Sequence, residues 1–275
     1  MKSHLITFGI LAGLATVGNA QTYFHDDFSS ASQLDNYGVD RSAPQSAVTG
    51  YFFGKTALNM TVYSNPGQTD PFYNFQGLQR YADAGHTQGF AIPASGSQLS
   101  MDIYIPSSWN ATTGGTADRR GGDLWARFDD TTQTVGFDAY PSIGFYNEGD
   151  GLGLGVETFD TFTGNYNVFS LATLGTMGAN IQLDGWNHLS MSFDGTSLKS
   201  YVNGVLLHTD SDGGWSNVAT LEGAFIQGWR TSAMINTNSS YDVVATNIAA
   251  VPEPASFAVL GLGGLALLRR RRAKK

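Results

Sequence analysis

The chain contains no cysteine in 275 residues. Disulfides and thiolate metal centres are therefore excluded, and a core, hydrogen bonds and any oxygen-ligated ion must hold the fold. Charge is sparse, with 15 Lys and Arg against 23 Asp and Glu. The net charge of −8 disfavours nucleic acid as a partner. No apolar run reaches the ~20 residues of a membrane-spanning helix. No internal segment keeps a helical period beyond a few turns, so a helical bundle is not expected. The G-x-S-x-G, H-E-x-x-H and phosphate-loop patterns are missing too.

What is present is glycine, 34 residues of it, with abundant Ser, Thr and Asn and a hydrophobic content of 41%. Short strands joined by tight turns fit this composition, and the length suits one large β-sandwich. The clearest stretch runs from Leu183 to Thr209. Leu189, Met191 and Phe193 alternate with polar residues, Asp194-Gly195 turns the chain, and Leu198, Ser200 and Val202 alternate on the way back. Asn203-Gly204 then supplies the positive φ of a tight hairpin. Trp186, Leu189, Met191, Phe193 and Val202 are expected in the core. Ser97 to Pro106 is the clearest single strand, with Leu99, Met101, Ile103 and Ile105 on one face.

Trp186-Asn187-His188, the alternating strand, Asp194-Gly195 and Tyr201-Val202-Asn203-Gly204 resemble the central hairpin of laminin-G-like, concanavalin A-like jelly-roll domains. The resemblance implies an all-β jelly-roll β-sandwich and makes His188 a structural histidine. It does not imply a function, because such sandwiches host lectins, hydrolases, adhesins and spacers.

The ends read as addresses. In residues 1–20, Lys2, the apolar run Leu5 to Val17 and Gly18-Asn19-Ala20 form a secretory signal helix with cleavage after Ala20. At the other end, Pro252-Glu253-Pro254 precedes a 14-residue apolar stretch, Ala255 to Leu268, then Arg269, Arg270, Arg271 and Arg272. A marginal membrane anchor is one reading, its basic cluster held in the cytoplasm. The order also resembles the PEP-CTERM sorting signal. That resemblance implies recognition by an exosortase, transient anchoring in the inner membrane through a C-terminal hydrophobic helix, and delivery to the cell surface or an extracellular matrix. The expected division is 1–20 signal, 21–249 jelly-roll body and 250–275 sorting segment. Without both ends, 8 cations face 22 acids and the balance becomes −14.

Between the ends, strands are expected at Tyr23 to Phe28, Ala57 to Tyr63, Leu124 to Phe128, Ile143 to Tyr146, Leu152 to Phe159, Tyr166 to Leu171 and Leu221 to Gln227. Tyr241 to Ile248 should return beside the first strand, and a short linker should follow. Residues 29–50 and 65–89 read as mostly loop.

A glycosidase needs two facing carboxylates. Laminarinase-like hydrolases of the resembled fold carry Glu-x-Asp-x-(x)-Glu on one strand. Here Glu148-Gly149-Asp150 is followed by Glu157, too far along to complete the pattern, and the body has only one further glutamate, Glu222. The body therefore reads as noncatalytic, structural or adhesive, with polysaccharide as a candidate ligand. A hydrolase using Glu148, Asp150 or Glu157 is the alternative. Trp109 and Trp215, both in predicted loops, are the candidate sugar-stacking residues. Ice binding, which the tail's family invites, would need flat Thr-x-Thr ladders, and only short pairs such as Thr161/Thr163 appear. Calcium is the candidate ion, held by Asp26, Asp27 and Asp242 between the first and last strands or by the acidic loop Asp210-Ser211-Asp212-Gly213-Gly214.

Overall fold

A computed structural model describes residues 23–63, 75–81, 90–112, 120–130, 139–229 and 240–252. The signal segment and most of the sorting tail, including Glu253, Pro254 and Arg269 to Arg272, lie outside the described residues. Sixteen strands follow in chain order. The first eight are β1 (Phe24–Asp26), β2 (Gly38–Arg41), β3 (Ser46–Phe52), β4 (Lys55–Tyr63), β5 (Phe75–Tyr81), β6 (Ile92–Pro93), β7 (Ser97–Ile105) and β8 (Arg120–Asp130). They are followed by β9 (Ser142–Asn147), β10 (Leu154–Asp160), β11 (Asn165–Ser170), β12 (Gly185–Phe193), β13 (Leu198–Val202), β14 (Val205–Asp210), β15 (Val218–Trp229) and β16 (Ser240–Pro252). One short helix, α1 (Leu171–Thr176), is capped by the Ser170 hydroxyl.

Two antiparallel sheets stack face to face. The first has the order β14-β13-β12-β7-β16-β4-β3, with β1 also paired to β16; the second has β11-β10-β9-β8-β15-β5-β2, with β6 also paired to β15. The core between them takes alternate residues of each strand. Leu99, Met101, Ile103 and Ile105 of β7 meet Leu124 and Ala126 of β8, Phe145 of β9 and Ile226 of β15 in one buried cluster. The other half of each strand faces outward, as the two-residue strand period requires.

The meander is β12, β13 and β14, with Leu189 opposite Val202 and Phe193 opposite Leu198. Asn203 at φ 50° and Gly204 at φ 78° make its second turn. Trp186 departs from expectation. It is three residues before the inward Leu189, so parity turns it outward, where its ring meets Tyr104 edge-on. His188 does have a structural bond, to Asp102 Oδ1 at 2.8 Å.

Two expected loops hold three strands. β2 and β3 occupy part of residues 29–50, and β5 sits beside β15 in the second sheet. Their sequences do not alternate cleanly. Gln76, buried on β5, is held by the backbone N–H and carbonyl of Tyr63, a tertiary contact that no local pattern announces. β16 does return beside β1 but continues to Pro252, opposite Ser97. The described strand thus runs past the expected boundary at 249, and the residues after Pro252 lie outside the described residues.

Candidate functional site

The candidate ligands scatter. Trp109 and Trp215 sit in short helical turns that tuck their rings into the core, 2% and 0% exposed. Trp215 packs against Phe128, Phe162 and Phe193 and cannot offer a face to a sugar. Asp26 is taken up by Arg80 and by the Tyr37 hydroxyl. Asp27 Oδ1 accepts the Ser29 N–H in a local turn, which holds its pKa below the usual range. Asp242 accepts the Thr61 hydroxyl at 2.7 Å. Asp26 pairs with Ile248, six residues along β16 from Asp242, which separates them by ~20 Å. The structure therefore does not bring the three together. Thr161 and Thr163 are tied into the β10–β11 turn, Thr161 accepting the Tyr140 N–H and Thr163 donating to Asp160.

A different arrangement occupies the outward face of the second sheet. Reading straight across the strands at one register level gives Val168, Glu157, Gly144, Asp123, Gln227, Gly77 and Asp40. The glycines are required here: a Cβ on Gly144 would run into the Asp123 side chain, and one on Gly77 into Gln227. Clearing those two positions lets the polar residues share the middle of the sheet.

Asp123 is the centre of the row and fully buried. Its Oδ2 accepts the Trp125 indole N–H and the Tyr146 hydroxyl, and its Oδ1 accepts nothing among the described residues. Burial pushes its pKa up to about 7, against those two hydrogen bonds and the Arg41 charge. Glu157 is half-buried, and burial, then the charges of Glu148 and Asp123, push it also to about 7. Asp40, at the far end of the row, is raised by burial and accepts the Gln227 amide. Gln227 Oε1 is a second buried acceptor without a donor. Such orphaned oxygens are costly in a finished core and ordinary in a site that meets a polar ligand.

Aromatic rings border the row. Trp125 lies under the Arg41 guanidinium at 4.3 Å and edge-on to Phe75. Tyr146 meets Trp229, and Phe159 meets Tyr166, which is 54% exposed. A face of rings around carboxyl groups is chemically suited to a polysaccharide, since rings stack on sugar faces while acids handle hydroxyls and glycosidic oxygens. Of the hydrolase candidates read from the sequence, Glu157 belongs to the row and Glu148 acts on it electrostatically. Asp150 does not belong to it, and instead holds the β9–β10 turn through the Leu152 N–H. The missed member is Asp123. Its signal was Asp123-Leu124-Trp125 on a strand whose inward residues are Leu124 and Ala126, which places Asp123 and Trp125 together outside.

A PEP-CTERM protein-sorting motif spans residues 250–272. It implies export and sorting by an exosortase, and it begins inside β16, at Ala250 opposite Leu99. No curated protein matches the chain in sequence.

Solved structures do match the body. A glycoside hydrolase family 16 endo-glucanase from Bacteroides ovatus is 13% identical, with a TM-score of 0.52 over 82% of this chain and 99% of that one. An alginate lyase from a Chlorella virus is 12% identical, with a TM-score of 0.50 over 84% and 99%. An endo-β-galactosidase from Clostridium perfringens is 10% identical, with a TM-score of 0.53 over 86% and 64%. At these identities the likeness is one of fold, a jelly-roll β-sandwich. It nevertheless overturns the expectation of a noncatalytic body, because the frameworks that match are those of glycan-cleaving enzymes. That expectation rested on a motif confined to one strand, whereas the paired acids here lie on two.

Proposed function

We propose that this protein is an exported glycoside hydrolase, carried to the cell surface or extracellular matrix by its PEP-CTERM tail and acting on polysaccharide at the outward face of the second sheet. The observation that carries the reading is the pair Asp123 and Glu157 on one register line, both held to about 7. A glycosidase requires one carboxyl that is protonated near neutrality and a second that acts as base or nucleophile.

Glu157 is the general acid. No donor hydrogen bond stabilises its charged form among the described residues, and burial with two negative neighbours keeps its proton on. It is also the less buried of the two and stands on β10, one strand in from the β11 edge that carries Tyr166. Asp123 is the base. Trp125 and Tyr146 hold one carboxylate oxygen and leave the other, Oδ1, without a donor among the described residues; because Asp123 is fully buried, substrate binding must admit the water from which Oδ1 takes a proton. Two strand spacings put the Cα atoms ~9.5 Å apart, with Gly144 open between them. The separation of the two carboxyl groups, rather than of their Cα atoms, decides between attack by Asp123 itself and attack by a water placed between acid and base. Trp229, Phe159 and Tyr166 would carry the flanking sugars.

The body should release reducing ends from at least one member of a panel of β-glucans, galactans and uronate polymers, and the first-formed anomer, read by NMR, separates attack by an Asp123-activated water (inversion) from attack by Asp123 itself (retention). Retention would reassign Asp123 as nucleophile. Silence across the panel, with binding retained on a glycan array, would oppose hydrolysis.

A further inference from the structure

A second group of acids lies at one corner of the sandwich, away from the row. Asp160 ends β10 in the second sheet, Asp210 ends β14 in the first, and Asp212 opens the helical turn that carries Trp215. One carboxylate oxygen from each falls within 4.8 Å of the others. Ligands around Ca²⁺ sit at 2.3–2.6 Å from the ion, so oxygens on opposite sides are at most about 5 Å apart. The three oxygens fit around one such ion.

The second observation is Asp210 itself. The residue is 5% exposed, its Oδ1 accepts the Asp212 N–H at 3.1 Å, and its Oδ2 has no donor in hydrogen-bonding geometry among the described residues, the Trp215 indole N–H beside the carboxylate being likewise unpaired. Burial and the adjoining Asp160 raise its pKa to about 6, against the Trp215 indole and the Asp212 N–H, as expected of a carboxyl facing another carboxyl. Asp160 is fixed in place by the Phe162 N–H and the Thr163 hydroxyl, which still leaves lone pairs on its oxygens. Among the described residues no Lys or Arg pairs with the three acids, and His208 alone contributes positive charge near Asp212.

We propose that Asp160, Asp210 and Asp212 bind a hard divalent cation of the calcium class, and that this ion clasps the two sheets together at the corner above Trp215. All three ligands are carboxylate oxygens, which excludes soft metals. The ligands come from a strand end and two turns, and such a set adapts more readily to Ca²⁺ than to the strict octahedron of Mg²⁺. Phe162, two residues after Asp160, stacks edge-on against Trp215, so the ion and the aromatic contact join the same two turns. In a chain without cysteine, this is where a cross-link between the sheets would reside.

The test is calorimetric titration and thermal melting of the secreted protein, stripped with EDTA, using Ca²⁺ and Mg²⁺ salts as probes. One Ca²⁺ per chain should bind, and millimolar Ca²⁺ should raise Tm by about 5 °C, with Mg²⁺ giving less. Asp212→Asn, at an exposed position, should keep the fold in EDTA and weaken Ca²⁺ binding on the order of tenfold or more. Asp210→Asn should abolish it, and Asp27→Ala should leave it intact. Identical melts in Ca²⁺ and EDTA would overturn the proposal, as would a calcium response undiminished in Asp212→Asn, which would place the ion elsewhere on the acidic surface.

Discussion

Asp123 and Glu157 stand on the same line of the second sheet, separated only by Gly144. They lie 34 residues apart in sequence and on strands that do not pair with each other, yet the Asp123 charge adds to the cost of charging Glu157. Gly144 sets that relationship, because it is the only residue type that leaves the space between them unfilled.

Gly144→Ala is therefore predicted to act on the site before the fold. Its Cβ would push Asp123 off its line, and displacements on the ångström scale cost on the order of a hundredfold in rate. Stability should fall by only ~1–3 kcal/mol, the usual cost of overpacking. Steady-state kinetics beside a denaturant melt would check the contrast, and loss of both in equal measure would point to misfolding.

The raised carboxyls also set a pH dependence. Their ordinary values are 3.8 and 4.5, and both are held to about 7 in the fold. Between those limits the folded chain keeps protons that the unfolded chain has released. Stability contributed by these groups must then fall as pH rises from about 4 to about 7. Glu157→Gln should flatten that slope. Activity should fall above pH 7 as Glu157 loses the proton it must donate. Urea melts at a series of pH values, with and without the substitution, would test the sign.

In the core, Phe193 is fully buried between Phe128 and Trp215, at ring distances of 5.7 and 5.5 Å. Phe193→Ala should cost ~3–5 kcal/mol. A loss under ~1 kcal/mol in a denaturant melt would contradict its place in the inter-sheet cluster.

The meander and the Ser97–Ile105 strand were legible because Leu189, Met191, Phe193 and the β7 aliphatics alternate cleanly and sharp turn signals bound them. The site was not legible, because its parts meet across strands. Glu157 and Asp123 become neighbours only through register, and a Glu-x-Asp-x-(x)-Glu search along one strand cannot find them. Trp109 and Trp215 misled for a related reason: a loop address says nothing about which way a large ring turns, and both turn inward. Trp186 misled by parity alone. The calcium-type corner was half legible. The Asp210-Ser211-Asp212 loop is acidic in sequence, but its third member, Asp160, arrives from the opposite sheet.

For the tail, native material should lack Arg269 to Lys275 if the sorting motif is processed. Intact-mass measurement would show it, and a mass retaining those residues would mean that the motif anchors without cleavage.

The central claim is that Asp123 and Glu157 are the working pair. Its most direct measurement is reducing-end release by the wild-type body and by Glu157→Gln and Asp123→Asn, each verified as folded by circular dichroism. The account predicts that either substitution lowers turnover on the order of a hundredfold or more, with glycan binding retained in both. Full activity in either folded variant would contradict it.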